Sequence, residues 1–138
     1  MKLSTRARYG VRLMTALARA HSEKPVFLKD IATGEEISEK YLSLIVIPLR
    51  AAGLIKSRRG ARGGYNLTKA PQEITLLSIV EALEGKIILV DCVKKPSSCS
   101  RTATRAARDV WHALGERISD TLNSITLAEL AQKKQNMG

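Results

Sequence analysis

The side chains able to do covalent or metal chemistry are few: two cysteines, Cys92 and Cys99, and two histidines, His21 and His112. The thiols sit in "CVKKPSSC", too widely spaced for the two-residue separation of thiol oxidoreductases, and no base or phosphate cradle accompanies them. Enzymatic activity is therefore not expected. The histidines lie far from the thiols in sequence and lack zinc-ligand spacing; they read as surface or ordinary packed residues. Pro96 and the neighbouring serines would let the two thiols meet, so a reversible dithiol switch is one reading of the pair. Denser chemistry lies in "KSRRGARGGY", residues 56–65, with four cations and three glycines in ten residues. Such a segment is either a solvated flexible loop or a hairpin tip made to lie against phosphates.

Charge by region favours the second reading. Residues 1–69 carry 14 Lys/Arg against 5 Asp/Glu, a net of +9, while residues 70–138 carry 9 against 8, a net of +1. A basic half joined to a near-neutral half points to a polyanion partner for the first and another duty for the second. Aromatics make up only 4% of the 138 residues, so the core must be aliphatic, and the Ala- and Leu-rich composition leans to helix. The start, "MKLSTRARYG", has no apolar core of signal-peptide length. The longest apolar runs, "LIVI" and "IILV", are too short to span a bilayer. No membrane partner is expected, and the expected location is the cytoplasm. Two cysteines do not make a secreted disulfide scaffold.

The elements that would position these charges follow from periodicity. Tyr9, Leu13, Ala16, Leu17 and Ala20 share a helical face within residues 5–21, with Ser4 or Thr5 as cap. Arg6, Arg8, Arg12 and Arg19 lie mostly off that face. "HSEKPVF" breaks the pattern at Pro25. A short helix through Ile31 and Ala32 ends near Gly34, and Ser38 caps a second helix on which Leu42, Ile45, Leu49 and Ala52 recur at three, four and three. Ala32, Ile37, Leu42 and Ile45 fit a helix-turn-helix, although Glu36 stands at the turn position where Gly is commonest. An ordinary helical hairpin is the competing reading of residues 28–54. "GLIKSRRGARGGYNLTK" then reads as strand, turn, strand, the glycines supplying positive φ at the tip. Helix-turn-helix followed by a basic hairpin makes a winged helix, with Arg58, Arg59 and Arg62 placed to neutralise phosphates or enter the minor groove. A further helix runs over residues 75–85, capped by Thr75, stopped by Gly85, with Leu76, Ile79, Val80 and Leu83 as its apolar face. Residues 101–124 form a long helix whose stripe, Ala107, Trp111, Leu114, Ile118 and Leu122, needs a partner. The same helix of a second subunit is one candidate; the chain's own domain is the other. "ITLAEL" starts a last short helix.

Taken in order, "KLSTRARYG", "ISEKYL", "IPLRAAGLIKSRRGARGGY", "EALEG", "CSRTAT", "RDVW" and "SITLAEL" resemble the Rrf2 family of winged-helix transcription regulators over nearly the whole chain, with the IscR-like iron–sulfur regulators the nearest in look. The resemblance implies a mainly α fold with a two-stranded β-wing and a long C-terminal dimerisation helix. It divides the chain into a DNA-binding domain at 1–85, a cysteine-containing sensor loop at 86–100, and a dimerisation helix with tail at 101–138. It implies a homodimer on a partly palindromic double-stranded promoter site, paired through Trp111, Leu114, Ile118 and Leu122. Ser38, Lys40, Tyr41 and Ser43 would begin the recognition helix, Arg58, Arg59 and Arg62 would lie on the wing, and Arg6 and Arg8 would approach the backbone.

Departures from the family pattern matter. Where many members carry Glu-Gln after "KYL", this chain has Ser43-Leu44, so a carboxylate able to accept from cytosine is replaced by a permissive hydroxyl. Leu44 lies off the core stripe, where it either touches a thymine methyl or is merely exposed. Pro48 removes the hydrogen bond to the Leu44 carbonyl, which predicts a kink. The IscR-like members hold a [2Fe–2S] cluster with three cysteines; Cys92 and Cys99 match two, but the third position is Arg105. A guanidinium stays protonated and offers iron no lone pair. The resemblance thus leaves three readings: an apo chain, a cluster held weakly with a substitute ligand or across subunits, or the dithiol switch. Control by a regulatory protein partner, as in cysteine-lacking members, is the alternative to sensing in the chain itself.

Overall fold

A computed structural model describes residues 3–20, 24–58, 64–89 and 105–133. Helix α1 (Thr5–Arg19) begins where Ser4 Oγ accepts from the Ala7 amide at 3.1 Å, leaving Thr5 inside the helix. Its inner face buries Ala7, Leu13, Met14 and Leu17, while Arg6, Arg8, Arg12 and Arg19 are all exposed. Helix α2 (Leu28–Glu35) and helix α3 (Glu39–Ala51) follow as the two arms of the helix-turn-helix. Between them Glu36 takes φ +56°, ψ +43°, the left-handed conformation that glycine supplies at no steric cost. The Glu36 position thus makes the turn a glycine would make, with a side chain present. Ile37 then donates its amide to the Ala32 carbonyl at 3.1 Å, and Ile37 itself is buried.

In α3, Leu42, Ile45, Val46 and Leu49 face inward. The helix continues through Pro48 to Ala51, and Ala52 becomes an exposed C-cap rather than a fourth core position. Pro48 leaves the Leu44 carbonyl without its intrahelical donor, and Leu44 is exposed, so water can donate to it instead. Gly53, at φ +77°, turns the chain into strand β1 (Ile55–Arg58), which pairs antiparallel with β2 (Gly64–Leu67) in the register Ile55–Leu67 to Arg58–Gly64. Of the glycines expected to supply positive φ at the tip, Gly60 and Gly63 lie outside the described residues, and Gly64 serves another purpose. A Cβ at Gly64 would stand 2.6 Å from the Pro25 Cβ and 3.4 Å from the Phe27 ring. The segment before α2 also pairs with the wing, through Val26 and Tyr65, which exchange amide-to-carbonyl bonds at 3.0 and 2.9 Å. "HSEKPVF" is therefore more than a helix break; its end forms a third edge that anchors the wing.

A 3-10 turn (Pro71–Glu73) leads to α4 (Leu76–Glu84), capped by Thr75 and ended at Gly85 with φ +82°. Helix α5 (Arg105–Asn123) leans on α4, and α6 (Leu127–Gln132) returns to α1. The return is stitched by Leu76 N–H to Ile125 C=O and Leu127 N–H to Ile74 C=O, each 2.8 Å. Leu127 is fully buried and belongs to the same aliphatic core as Leu13, Leu42, Ile45 and Ile79. Among the described residues the fold is thus six helices and one two-stranded sheet.

Candidate nucleic-acid interface

The outward side of α3 is set by its inward side. With Leu42, Ile45, Val46 and Leu49 turned to the core, a 3.6-residue period throws Lys40, Leu44, Ile47 and Ala51 to the opposite side. All four are exposed, Leu44 at 61% and Ile47 at 62%. The N-terminus is fixed by Ser38, whose Oγ accepts from the Tyr41 amide at 3.2 Å, a cap worth about 1 kcal/mol. Ser43, also exposed, donates its hydroxyl proton to the Lys40 carbonyl at 2.6 Å.

Tyr41 is held from behind. Its ring meets Tyr9 of α1 edge-on, centroids 5.6 Å apart and planes at 74°. The Arg12 guanidinium lies 5.4 Å over the Tyr9 ring, donates from Nε to Glu35 Oε1 at 3.1 Å, and donates from Nη2 to the Glu35 carbonyl. A charged fork on the last residue of α2 therefore clasps α1 to the turn that aims α3. Sequence periodicity places Arg12 only off the apolar face; its partner is 23 residues away, and no local pattern signals it.

Arg6 and Arg8 are exposed on the first turn and a half of α1. That end is tethered by the Ser4 amide, which donates to Glu84 Oε1 at 2.7 Å. Arg6 also borders, with Tyr41, Leu44, Ile45, Ile47 and Pro48, a shallow apolar depression on the outer side of α3. A cation of α1 and the outer side of α3 thus share one surface. Arg58 ends β1 and is exposed. Arg59 and Arg62 lie outside the described residues, as do Cys92 and Cys99. Arg105 is the exposed first residue of α5.

Along α5 the apolar stripe divides. Ile118 and Leu122 are half-buried, and with Leu3, Ile87 and Ile88 they line a pocket at the end of α4. Gly115 is buried, with the Ile87 carbonyl 3.5 Å from where its Cβ would stand. Trp111 and Leu114 remain exposed at 43% and 42%, joined by Val110 at 59%. Val110 is not part of the stripe that the sequence spacing predicts.

A helix-turn-helix with one apolar face in the core and one face outward, a wing beside it, and cations around both define a winged-helix DNA-binding protein. The Rrf2 family profile, described as "Iron-dependent Transcriptional regulator", matches residues 3–133, and the chain belongs to this family. It is 42% identical to the HTH-type transcriptional regulator CymR of Bacillus subtilis over 131 residues, covering 95% of this chain and 90% of that protein. It is 37% identical to the regulator IscR of Erwinia tasmaniensis, covering 98% and 81%. The solved structure of CymR (YrzC), the global cysteine regulator of B. subtilis, superposes with a TM-score of 0.82 at 40% identity, covering 98% of this chain and 99% of that one. The chain is accordingly a DNA-binding transcription regulator, and the family is not one of enzymes. No helix among the described residues is long and apolar enough to cross a membrane.

Proposed function

We propose that the chain acts as a homodimer in which two winged helices read a partly palindromic duplex site. The carrying observation is α5: Val110, Trp111 and Leu114 stay exposed although the lower half of the same helix is seated on α4. An isologous pairing of two such helices covers this face and sets the spacing of two recognition helices. Ser38, Lys40, Tyr41 and Ser43 then lie at the major groove, Arg6, Arg8 and Arg58 at the backbone, with Arg59 and Arg62 carried by the wing.

The signal is a separate question. The [2Fe–2S] cluster that the resemblance to IscR-like members implies is held by three cysteines of the chain, and this sequence has two, with Arg105 at the third position. Arg105 opens α5 as an exposed side chain, and a guanidinium is no iron ligand. The donor set therefore does not fit the cluster, and we read the chain as a member that regulates without it. Two routes need no cluster: a regulatory protein partner, or reversible pairing of Cys92 and Cys99.

Titrating salt against binding of a selected promoter duplex tests the DNA reading. Affinity should fall steeply, and Arg6→Ala with Arg8→Ala should reduce the slope by about 4, one for each phosphate no longer neutralised by the two arginines of each protomer. Salt-independent binding contradicts it. Anaerobic reconstitution with iron and sulfide tests the signal: the native chain stays colourless, and Arg105→Cys gains the absorption of a cluster. Colour in the native chain refutes the cluster-less reading.

A further inference from the structure

The recognition helix has two apolar faces where an amphipathic helix needs one. The inner, Leu42, Ile45, Val46 and Leu49, is accounted for by the core. The outer runs Lys40, Leu44, Ile47, Ala51 at spacings of four, three and four, with Leu44 and Ile47 both more than 60% exposed. A leucine and an isoleucine side by side in water forgo burial worth about 1.5–3 kcal/mol each. The polar candidate beside them is already engaged: the Ser43 hydroxyl donates to the Lys40 carbonyl at 2.6 Å, leaving it no proton for a base. Arg6 borders the same depression, so the apolar pair sits next to a cation suited to phosphate.

Resting on the duplex-binding reading above, we propose that Leu44 and Ile47 determine sequence specificity by apolar contact with thymine C5-methyl groups in the major groove. Thymine is the base that offers an apolar group there. The pair stands midway along the outward face of α3 (Glu39–Ala51), on the side of the recognition helix that faces the groove floor in this docking class. Readout at these positions is then by shape and methyl burial, not by hydrogen bonding from Ser43. The operator is correspondingly thymine-rich opposite the middle of α3, once in each half-site.

The test uses the full-length protein and a duplex selected from a random-sequence pool. Each thymine of the half-site is replaced in turn by deoxyuridine, which removes the methyl and leaves the pairing edge intact. At one or two positions per half-site the affinity should fall about fourfold, the effect of one buried methyl. Leu44→Gln and Ile47→Gln, both on an exposed face and so compatible with folding, should each abolish the deoxyuridine penalty at the thymine that side chain contacts, and the double variant should bind thymine and deoxyuridine duplexes alike; circular dichroism checks that each is folded. Wild-type protein that selects a sequence yet binds all deoxyuridine duplexes equally overturns the methyl readout while leaving the regulator reading intact. Wild-type protein that selects no sequence overturns both. A loss of affinity in Leu44→Gln with the deoxyuridine penalty unchanged also refutes the assignment to Leu44.

Discussion

Replacing Trp111 by Ala should break the dimer and leave the protomer folded. Trp111 keeps 43% of its surface accessible on the isolated chain. For a ring that can bury about 250 Å², that fraction is roughly 110 Å². At about 25 cal/mol per Å² this corresponds to about 2.7 kcal/mol, and a two-fold interface uses the residue twice, giving about 5 kcal/mol. Immobilising each ring costs about 1 kcal/mol. The net of about 3 kcal/mol is a rise in the dimer dissociation constant of roughly a hundredfold. Sedimentation equilibrium over a dilution series measures it directly. Trp111 is also the single tryptophan of the chain, so wild-type fluorescence gives an independent reading: emission should shift to longer wavelength as dilution exposes the ring to water. Far-ultraviolet circular dichroism of Trp111→Ala should match wild type, because the ring is not in the protomer core. A dissociation constant changed by less than about fivefold, or wild-type emission that stays constant through a measured dimer-to-monomer transition, refutes pairing through this face.

Two further outcomes bear on the scaffold. Leu127→Ala, at a fully buried position next to the α1 core, should lower stability by about 2–5 kcal/mol in urea unfolding; a cost under about 1 kcal/mol means that the C-terminal helix is not integral to the domain. Glu36→Gly relieves a left-handed residue at φ +56°, a conformation costing an L-residue about 1–2 kcal/mol; offset by the greater freedom of unfolded glycine, the expected gain is about 0.5–1 kcal/mol. A loss in the same unfolding experiment argues that the Glu36 side chain supplies something the backbone strain hides.

The local elements were legible because their causes are local. Ser4, Ser38 and Thr75 each accept an amide at the start of a helix, and hydroxyl caps are read from neighbouring residues alone. The inward faces of α3 and α4 follow largely from spacing, and the basic first half follows from counting charges; on α1 spacing finds Leu13 and Leu17 but misses Ala7, Met14 and Ala18 and includes Ala20, which is exposed. Long-range pairing was not legible. Val26 bridges Tyr65, and Thr75 bridges Thr126, across separations that no periodicity encodes. These bridges seat the wing and bring α6 to α1. The fork from Arg12 to Glu35, the need for glycine at 64, and the outward standing of Ile47 belong to the same class. Periodicity tells which side chains of a helix share a side; which side meets a neighbour is decided when the other elements arrive. Ile45 shares the Leu42 and Leu49 side by spacing; Ile47, the same residue type two positions on, is left exposed because no element among the described residues packs over that side.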